Sequence, residues 1–335
     1  MEFGVSFAAG PEAVQQAQLA EQLGFSSVGY YDSPALGADV WITIANAVQA
    51  TNRIKVGTEV LVPHLRHPMA QVAAMATIES LAPGRLYVGV GTGFTGRMAM
   101  GRPPLSWAVM RRFLETAKAL LAGEEVEIDG GMSQMLHPPG FGPARPISIP
   151  FWVAANGPKG IEVARELGDG LIYAGDPSTP PSGFSLLMMH ANGMVLAQGE
   201  TASSPRIIEG ARIAFPMQYH QAYEGFFGST AKVEDLPYGD DWLATLERVP
   251  ENLRHLAVHD RHTVGINDHD AAFIDRHPDA LADFITQLVV TPEQLRERIS
   301  AIQALGATHT TCFAIVGPGW PGAMRAYAEA VGIAQ

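Results

Sequence analysis

One cysteine, Cys312, is all the chain contains, which excludes an intrachain disulfide framework and any cysteine-based zinc cage. Lysine is almost as scarce, with only Lys55, Lys118, Lys159 and Lys232 in 335 residues. The formal net charge is −12 and no basic run occurs, so the positive surface that a nucleic acid requires is missing. No stretch approaches the roughly 18 uninterrupted apolar residues of a membrane span. Met1-Glu2-Phe3-Gly4 lacks a basic region followed by an apolar run, so no secretory signal is read there and a cytoplasmic location is expected. What is present is a globular composition, 47% hydrophobic and 17% charged, with enough apolar residues for a substantial core. The length suits one large α/β barrel or two smaller domains.

The most informative stretch runs from Ile149 to Asp176. An apolar strand meets a glycine-bearing turn, a helix opens there, and a second apolar strand follows. The junction is Asn156-Gly157-Pro158-Lys159. A helix N-terminus leaves backbone N–H groups unpaired at the positive end of the dipole, which suits an anion. Pro158 fits the first helical position, where its missing N–H has no partner to lose. Lys159 adds a mobile positive charge.

Strands and helices alternate through most of the chain. Strands are read at Glu2–Ala8, Ser27–Asp32, Ile54–Val62 and Leu86–Gly91, with helices at Pro11–Leu23, Asp39–Ala50, Pro68–Leu81 and Ser106–Leu121. An excursion at Glu127–Leu136 reads as a hairpin around Asp129-Gly130-Gly131. The Ile149–Asp176 stretch supplies strands five and six. Ile207–Pro216 is read as strand seven and Thr310–Val316 as strand eight, with closing helices at Pro292–Leu305 and Pro321–Val331. Helical crossovers imply parallel pairing, and eight repeats favour a closed (β/α)₈ TIM barrel over an open doubly wound sheet. The reading is one barrel domain, 1–335, with insertions after strands 4, 6 and 7. Pro177–Pro205 reads as a long sixth connection, and Met217–Val290 as an insertion over the C-terminal face.

Four passages on this framework resemble the bacterial luciferase-like superfamily, and most closely its methylenetetrahydromethanopterin reductase-like branch. They are Tyr31-Asp32-Ser33-Pro34; Gly57 to Pro63 with Arg66-His67-Pro68; Pro83-Gly84-Arg85-Leu86 through Gly91-Thr92-Gly93-Phe94; and Ala154-Ala155-Asn156-Gly157-Pro158-Lys159 with Gly168 to Ile172. The resemblance spans residues 1 to about 215 and resumes near 290. It implies an oxidoreductase passing hydride between the deazaflavin coenzyme F420 and a small organic substrate, in a homodimer. A reduced-FMN-dependent monooxygenase is the alternative, and a non-catalytic flavin-binding barrel a further one. A cis peptide at Glu59-Val60 would support one face of the ring. Thr92 and Gly93 would contact its pyrimidine side. Ala155, Asn156, Gly157 and Lys159, joined by Gly175 and Asp176, would hold the cofactor phosphate. Where sugar-phosphate dehydrogenases of the superfamily place a histidine and a glutamate, this chain has Ser33 and Phe94. That acid–base pair is missing, and Phe94 suggests a more apolar substrate.

The insertion is rich in histidine: His255, His259 and His262, then His269. Spacings of four and three put the first three on one helical face, which admits a solvated or structural face, an active-site lining, or a metal site. No cysteine can assist a metal, and Asp260 and Asp268 point elsewhere; no metal is expected. The reading carried forward directs His259 or His262 toward the ring pocket as a proton donor, with Asp32 lining the opposite wall.

Overall fold

The computed structural model describes residues 1–225, 231–312 and 317–334. Eight parallel strands close a barrel: β1 (Glu2–Ala8), β2 (Ser27–Tyr31), β3 (Lys55–Leu61), β4 (Leu86–Val90), β7 (Phe151–Ala154), β8 (Gly170–Tyr173), β9 (Leu187–Met189) and β12 (His309–Cys312). The hairpin strands β5 (Val126–Ile128) and β6 (Gly131–Ser133) lie outside it, as do β10 (Met194–Val195) and β11 (Val289–Val290). Pairing of Val5 with Cys312 and of Val5 with Val28 fastens β1 between the last strand and the second. Residues 313–316 of the expected eighth strand lie outside the described residues.

Local chemistry accounts for the helices between strands. Asp39 caps the helix Val40–Gln49, its carboxylate accepting from the backbone N–H of Trp41 and Ile42. Ser106 caps Trp107–Ala122, and Gly123 ends it in the left-handed conformation. The hairpin turns through Asp129 (φ 51°) and Gly130 (φ 82°), as the Asp-Gly pair implies. It follows the helix Trp107–Ala122, and its tip at Asp129 comes within 3.6 Å of His67, beyond β3.

The seventh strand is not where the apolar run Ile207–Pro216 placed it. Those residues form the helix Pro205–Ala214, opened by Pro205 and burying Ile207, Gly210 and Ala211 at helical spacing. Strand seven is β9, within the stretch taken for a long sixth connection. The described chain from residue 174 to 186 carries no helix, so the crossover from β8 to β9 is a loop. The insertion after strand seven therefore begins near residue 190. Its base is pinched by β10 pairing with β11, Met194 beside Val289 and Val195 beside Val290.

The described residues form three apolar clusters. One wraps the barrel, a small one of Tyr87, Trp152, Ile172 and Met188 is separate from it, and a third lies within the insertion around Phe215, Tyr219, Trp242 and Phe273. The insertion rests on loops that follow barrel strands. A side chain at Gly101, beyond β4, would press on His255 at 3.2 Å, and one at Gly317, beyond β12, would collide with Ile213 at 2.5 Å or less. No helix among the described residues is long and apolar enough to cross a membrane.

Candidate active site

The barrel interior holds a buried carboxylate. Glu59, 7% exposed, points inward from β3. Ser6 of β1 and Tyr87 of β4 donate their hydroxyls to it, Tyr87 at 2.5 Å, and the Thr311 hydroxyl of β12 joins them. Gly29 of β2 makes the room, since a Cβ there would stand 2.5 Å from the Glu59 carboxyl carbon. Tyr87 stacks on Trp152 of β7, their ring centres 4.0 Å apart. Burial raises the Glu59 pKa to about 7, although the three hydroxyls pull it down. The expected cis peptide joins Glu59 to Val60, and the β3–β4 register shifts between Thr58 and Leu61. Val60 packs where a Cβ on Gly91 would fall, 2.5 Å from its methyl.

At the C-terminal ends of the strands, Asp32 is 6% exposed and accepts a 3.0 Å hydrogen bond from the Val62 N–H, tying the end of β2 to the end of β3. Burial raises its pKa to about 6, against the Val62 N–H and the Arg66 charge. Thr92 accepts at its carbonyl from Leu105 N–H at 2.8 Å. Gly93 turns the chain with φ 83° into the short helix Phe94–Met98, whose Gly96 packs against the Asp32 carbonyl. Strands two, three and four thus present Asp32, Val62 and Gly93 as neighbours.

After β7 comes the turn singled out in the sequence. Asn156 Oδ1 accepts from Ala174 N–H at 2.9 Å, which fastens the end of β7 to the end of β8 beside the buried Ala155. Gly157 caps the helix Pro158–Leu167. No atom lies within 4 Å of where its Cβ would be, so the ground before this helix is open. Lys159 is exposed there. Gly160, in contrast, is needed for packing: a Cβ would run into the Trp107 ring. These features suit a phosphate. Asp176 has the wrong charge for one, but its carboxylate is turned onto its own loop, accepting from Ser178 N–H at 2.9 Å and Ser178 Oγ at 2.7 Å. The Ser178 hydroxyl holds its pKa down. Gly175 lets the Tyr173 hydroxyl come within 2.5 Å of its missing Cβ position.

The histidines of the insertion form a different group from the one expected. The helix Arg254–His259 stops at His259, and Arg261 and Thr263 take positive φ, so His262 does not share a helical face with the other two. His259 Nε2 lies 2.7 Å from Glu224, and His262 Nδ1 lies 3.0 Å from His220 Nδ1. His220 continues to Asp270 at 3.0 Å, and Asp270 also accepts from Trp242 Nε1 and Asn267 Nδ2. All these hydrogen bonds stay within the insertion, and none joins His259 or His262 to Asp32. Burial lowers the His262 pKa to about 3, helped by neighbouring His220 and His259. Among the described residues no group of three His, Cys, Asp or Glu is placed to hold a metal ion.

One residue at the mouth escaped the sequence reading. His190 directly follows β9, and burial lowers its pKa to about 4 despite a hydrogen bond with the Thr311 backbone. Its signal was the position after an apolar strand, lost when strand seven was set elsewhere.

Residues 4–309 match the luciferase-like monooxygenase family. An F420-dependent glucose-6-phosphate dehydrogenase of Beutenbergia cavernae is 31% identical over 257 residues, 70% of this chain and 74% of that protein. A 5,10-methylenetetrahydromethanopterin reductase of Methanolobus tindarius is 32% identical over 190 residues, 53% of this chain and 55% of that one. An F420-dependent secondary alcohol dehydrogenase bound to an F420–acetone adduct has the same fold, with TM-score 0.66 at 16% identity, covering 100% of this chain and 99% of that one. Solved structures of this fold divide between F420- and FMN-binding proteins. The buried Glu59 on a shifted strand three, the glycine turn after strand four and the open turn after β7 are thus the mouth of a known kind of barrel, and the chain belongs to the luciferase-like monooxygenase family, whose fold carries F420- or FMN-dependent oxidoreductases.

Proposed function

We propose that this protein is an F420-dependent oxidoreductase acting on a small organic substrate. The observation that carries the reading is the open, cationic turn Asn156–Lys159, set at the same end of the barrel as Asp32, Thr92 and Gly93. The two curated relatives described above, both close to one-third identical, favour F420 over FMN, since one is named for that coenzyme and the other for the reductase branch. When bound, the deazaflavin supplies hydride transfer.

The chain's own residues would do the rest. Gly157 and Lys159, with the dipole of the helix Pro158–Leu167, would hold a phosphate, while Asn156 keeps β7 and β8 in register beneath it. Ala155, Gly175 and Asp176 would shape that turn. Thr92 and Gly93 would offer backbone and hydroxyl contacts to a ring edge. Glu59 would brace strand three from inside the barrel, leaving Val60 to form the surface beneath the ring. Asp32, protonated over part of the range below neutrality, would give a proton to a substrate oxygen. Ser33 and Phe94 stand where the superfamily's sugar-phosphate dehydrogenases carry their acid–base pair, which speaks for reduction of an apolar carbonyl or olefin over sugar-phosphate oxidation. His259 and His262 would act at a distance, through the order of the insertion. A cytoplasmic homodimer is part of this reading, checked by sedimentation.

Titration with reduced F420 and reduced FMN, with oxygen uptake recorded, tests it. Tight F420 binding without oxygen consumption is expected. Strong FMN binding with substrate-dependent oxygen uptake would instead identify a monooxygenase.

A further inference from the structure

The loops after β3 and β4 frame an open cavity of about 370 Å³ lined by His64, Leu65, Arg97, Met100 and Arg102. Its charge runs against the rest of the molecule. The chain carries 34 acidic residues against 22 Lys and Arg, yet two guanidiniums and an imidazole line this cavity with no carboxylate among them.

Neighbouring basic side chains behave differently. Arg66 pairs with Asp39, and His67 lies 3.6 Å from Asp129. Among the described residues no acidic side chain pairs with His64, Arg97 or Arg102. Arg97 is steadied by donating from Nε to the Pro103 carbonyl at 2.6 Å, which folds the loop so that Arg102 reaches the same space. His255 of the insertion packs beside Gly101, the residue between Met100 and Arg102. Unneutralised like charges repel, and a concave setting with apolar Leu65 and Met100 strengthens their field; a ligand anion relieves both.

The cavity also lies close to the chemistry. Arg97 belongs to the short helix Phe94–Met98 that Gly93 opens, and Gly96 of that helix touches Asp32. The turn Asn156–Lys159 belongs to a different strand, β7.

We propose that this cavity binds the anionic group, a carboxylate or phosphate, of an otherwise apolar substrate. The assignment to substrate rests on the function proposed above; the affinity for an anion does not.

Benzoate, an apolar ring with one carboxylate, is a suitable probe for calorimetric titration of the full chain at low salt. Arg102→Gln and His64→Gln should each raise its Kd about five-fold or more, and Lys159→Gln should leave it unchanged. Salt at about 0.5 M should weaken binding to the parent protein. Matched melting curves of the variants guard against misfolding. Equal affinity in parent and Arg102→Gln, or an equal loss in Lys159→Gln, would overturn the proposal. Repeating the titration with saturating FMN or F420 separates the sources of the anion. Unchanged benzoate affinity supports a substrate group, while displacement hands the cavity to the cofactor and refutes the substrate assignment. Arg102-dependent benzoate binding in a protein whose absorbance titration reveals no cofactor binding would remove the proposed function and leave the anion site in place.

Discussion

Replacing Glu59 by Gln should change how stability depends on pH, by an amount the barrel interior sets. The Glu59 carboxyl has an ordinary pKa of 4.5 and is raised to about 7 by burial in the folded chain. At about 1.4 kcal/mol for each pKa unit, that difference amounts to about 3 kcal/mol. The folded protein holds this proton more tightly than the unfolded one. The contribution is therefore full below pH 4.5 and is lost as pH rises to about 7. Between pH 5 and 8 it falls by about 2.5 kcal/mol. Glutamine keeps the shape, with its carbonyl accepting from Tyr87 and its amide donating to Ser6, and it does not titrate.

The assay is urea unfolding of parent and Glu59→Gln across that range. The parent's absolute curve is not diagnostic, because buried His262 works with the opposite sign. The difference between the two proteins isolates Glu59. Glu59→Gln should gain on the parent by about 2–3 kcal/mol between pH 5 and 8. Parallel curves would refute the reasoning, since they would mean the three hydroxyls offset the whole cost of burying the charge.

Other perturbations give separate readouts. Lys159→Ala should weaken binding of a phosphate-bearing cofactor by about 1 kcal/mol, a modest value because the ammonium is exposed, and titration by absorbance measures it. Asp32→Asn should lower kcat more than cofactor affinity and remove a limb near pH 6 from the rate profile, which steady-state kinetics across pH would register. His262 is held neutral to about pH 3 in the folded chain while the unfolded imidazole takes its proton near 6.5, so stability present above 6.5 is lost as pH falls toward 3. The slope is about 1.4 kcal/mol per pH unit, and His262→Gln should flatten it in acid-unfolding curves. Gly29→Ala should cost about 1–3 kcal/mol by pressing a methyl against the Glu59 carboxyl, with Tm as the measure.

The elements that sequence revealed were those whose signal is local. Asp39 before an apolar helix, Asp129-Gly130 in a hairpin and Pro158 after glycine each act within a few residues, and each appears where expected. Glu59 was legible too, as a charge in an apolar run. Strand seven was hidden because β9 is three residues long and its crossover from β8 has no helix, which removes the alternation that marked the other strands. The apolar content of Ile207–Pro216 then filled the gap, although Arg206, Glu209 and Arg212 recur every third residue as a helix would have them.

What surrounds the site is less legible because its contacts are distant in sequence. The hydroxyls that hold Glu59 come from positions 6, 87 and 311, on three strands that neighbour it only after the barrel has closed. None of the three reads as functional alone, since each is a polar residue in an apolar strand that could equally face water. The histidines show the converse: their spacing was local and suggestive, but Arg261 and Thr263 break the helix, and Glu224 and His220, the partners of His259 and His262, lie 35 and 42 residues away in the chain. A buried acid or imidazole takes its pKa from such partners and from burial, and neither quantity is written in the residues beside it. Motif spacing can therefore nominate Asp32 or Lys159, but only the closed barrel distinguishes an acid able to hold a proton near neutrality from one that cannot.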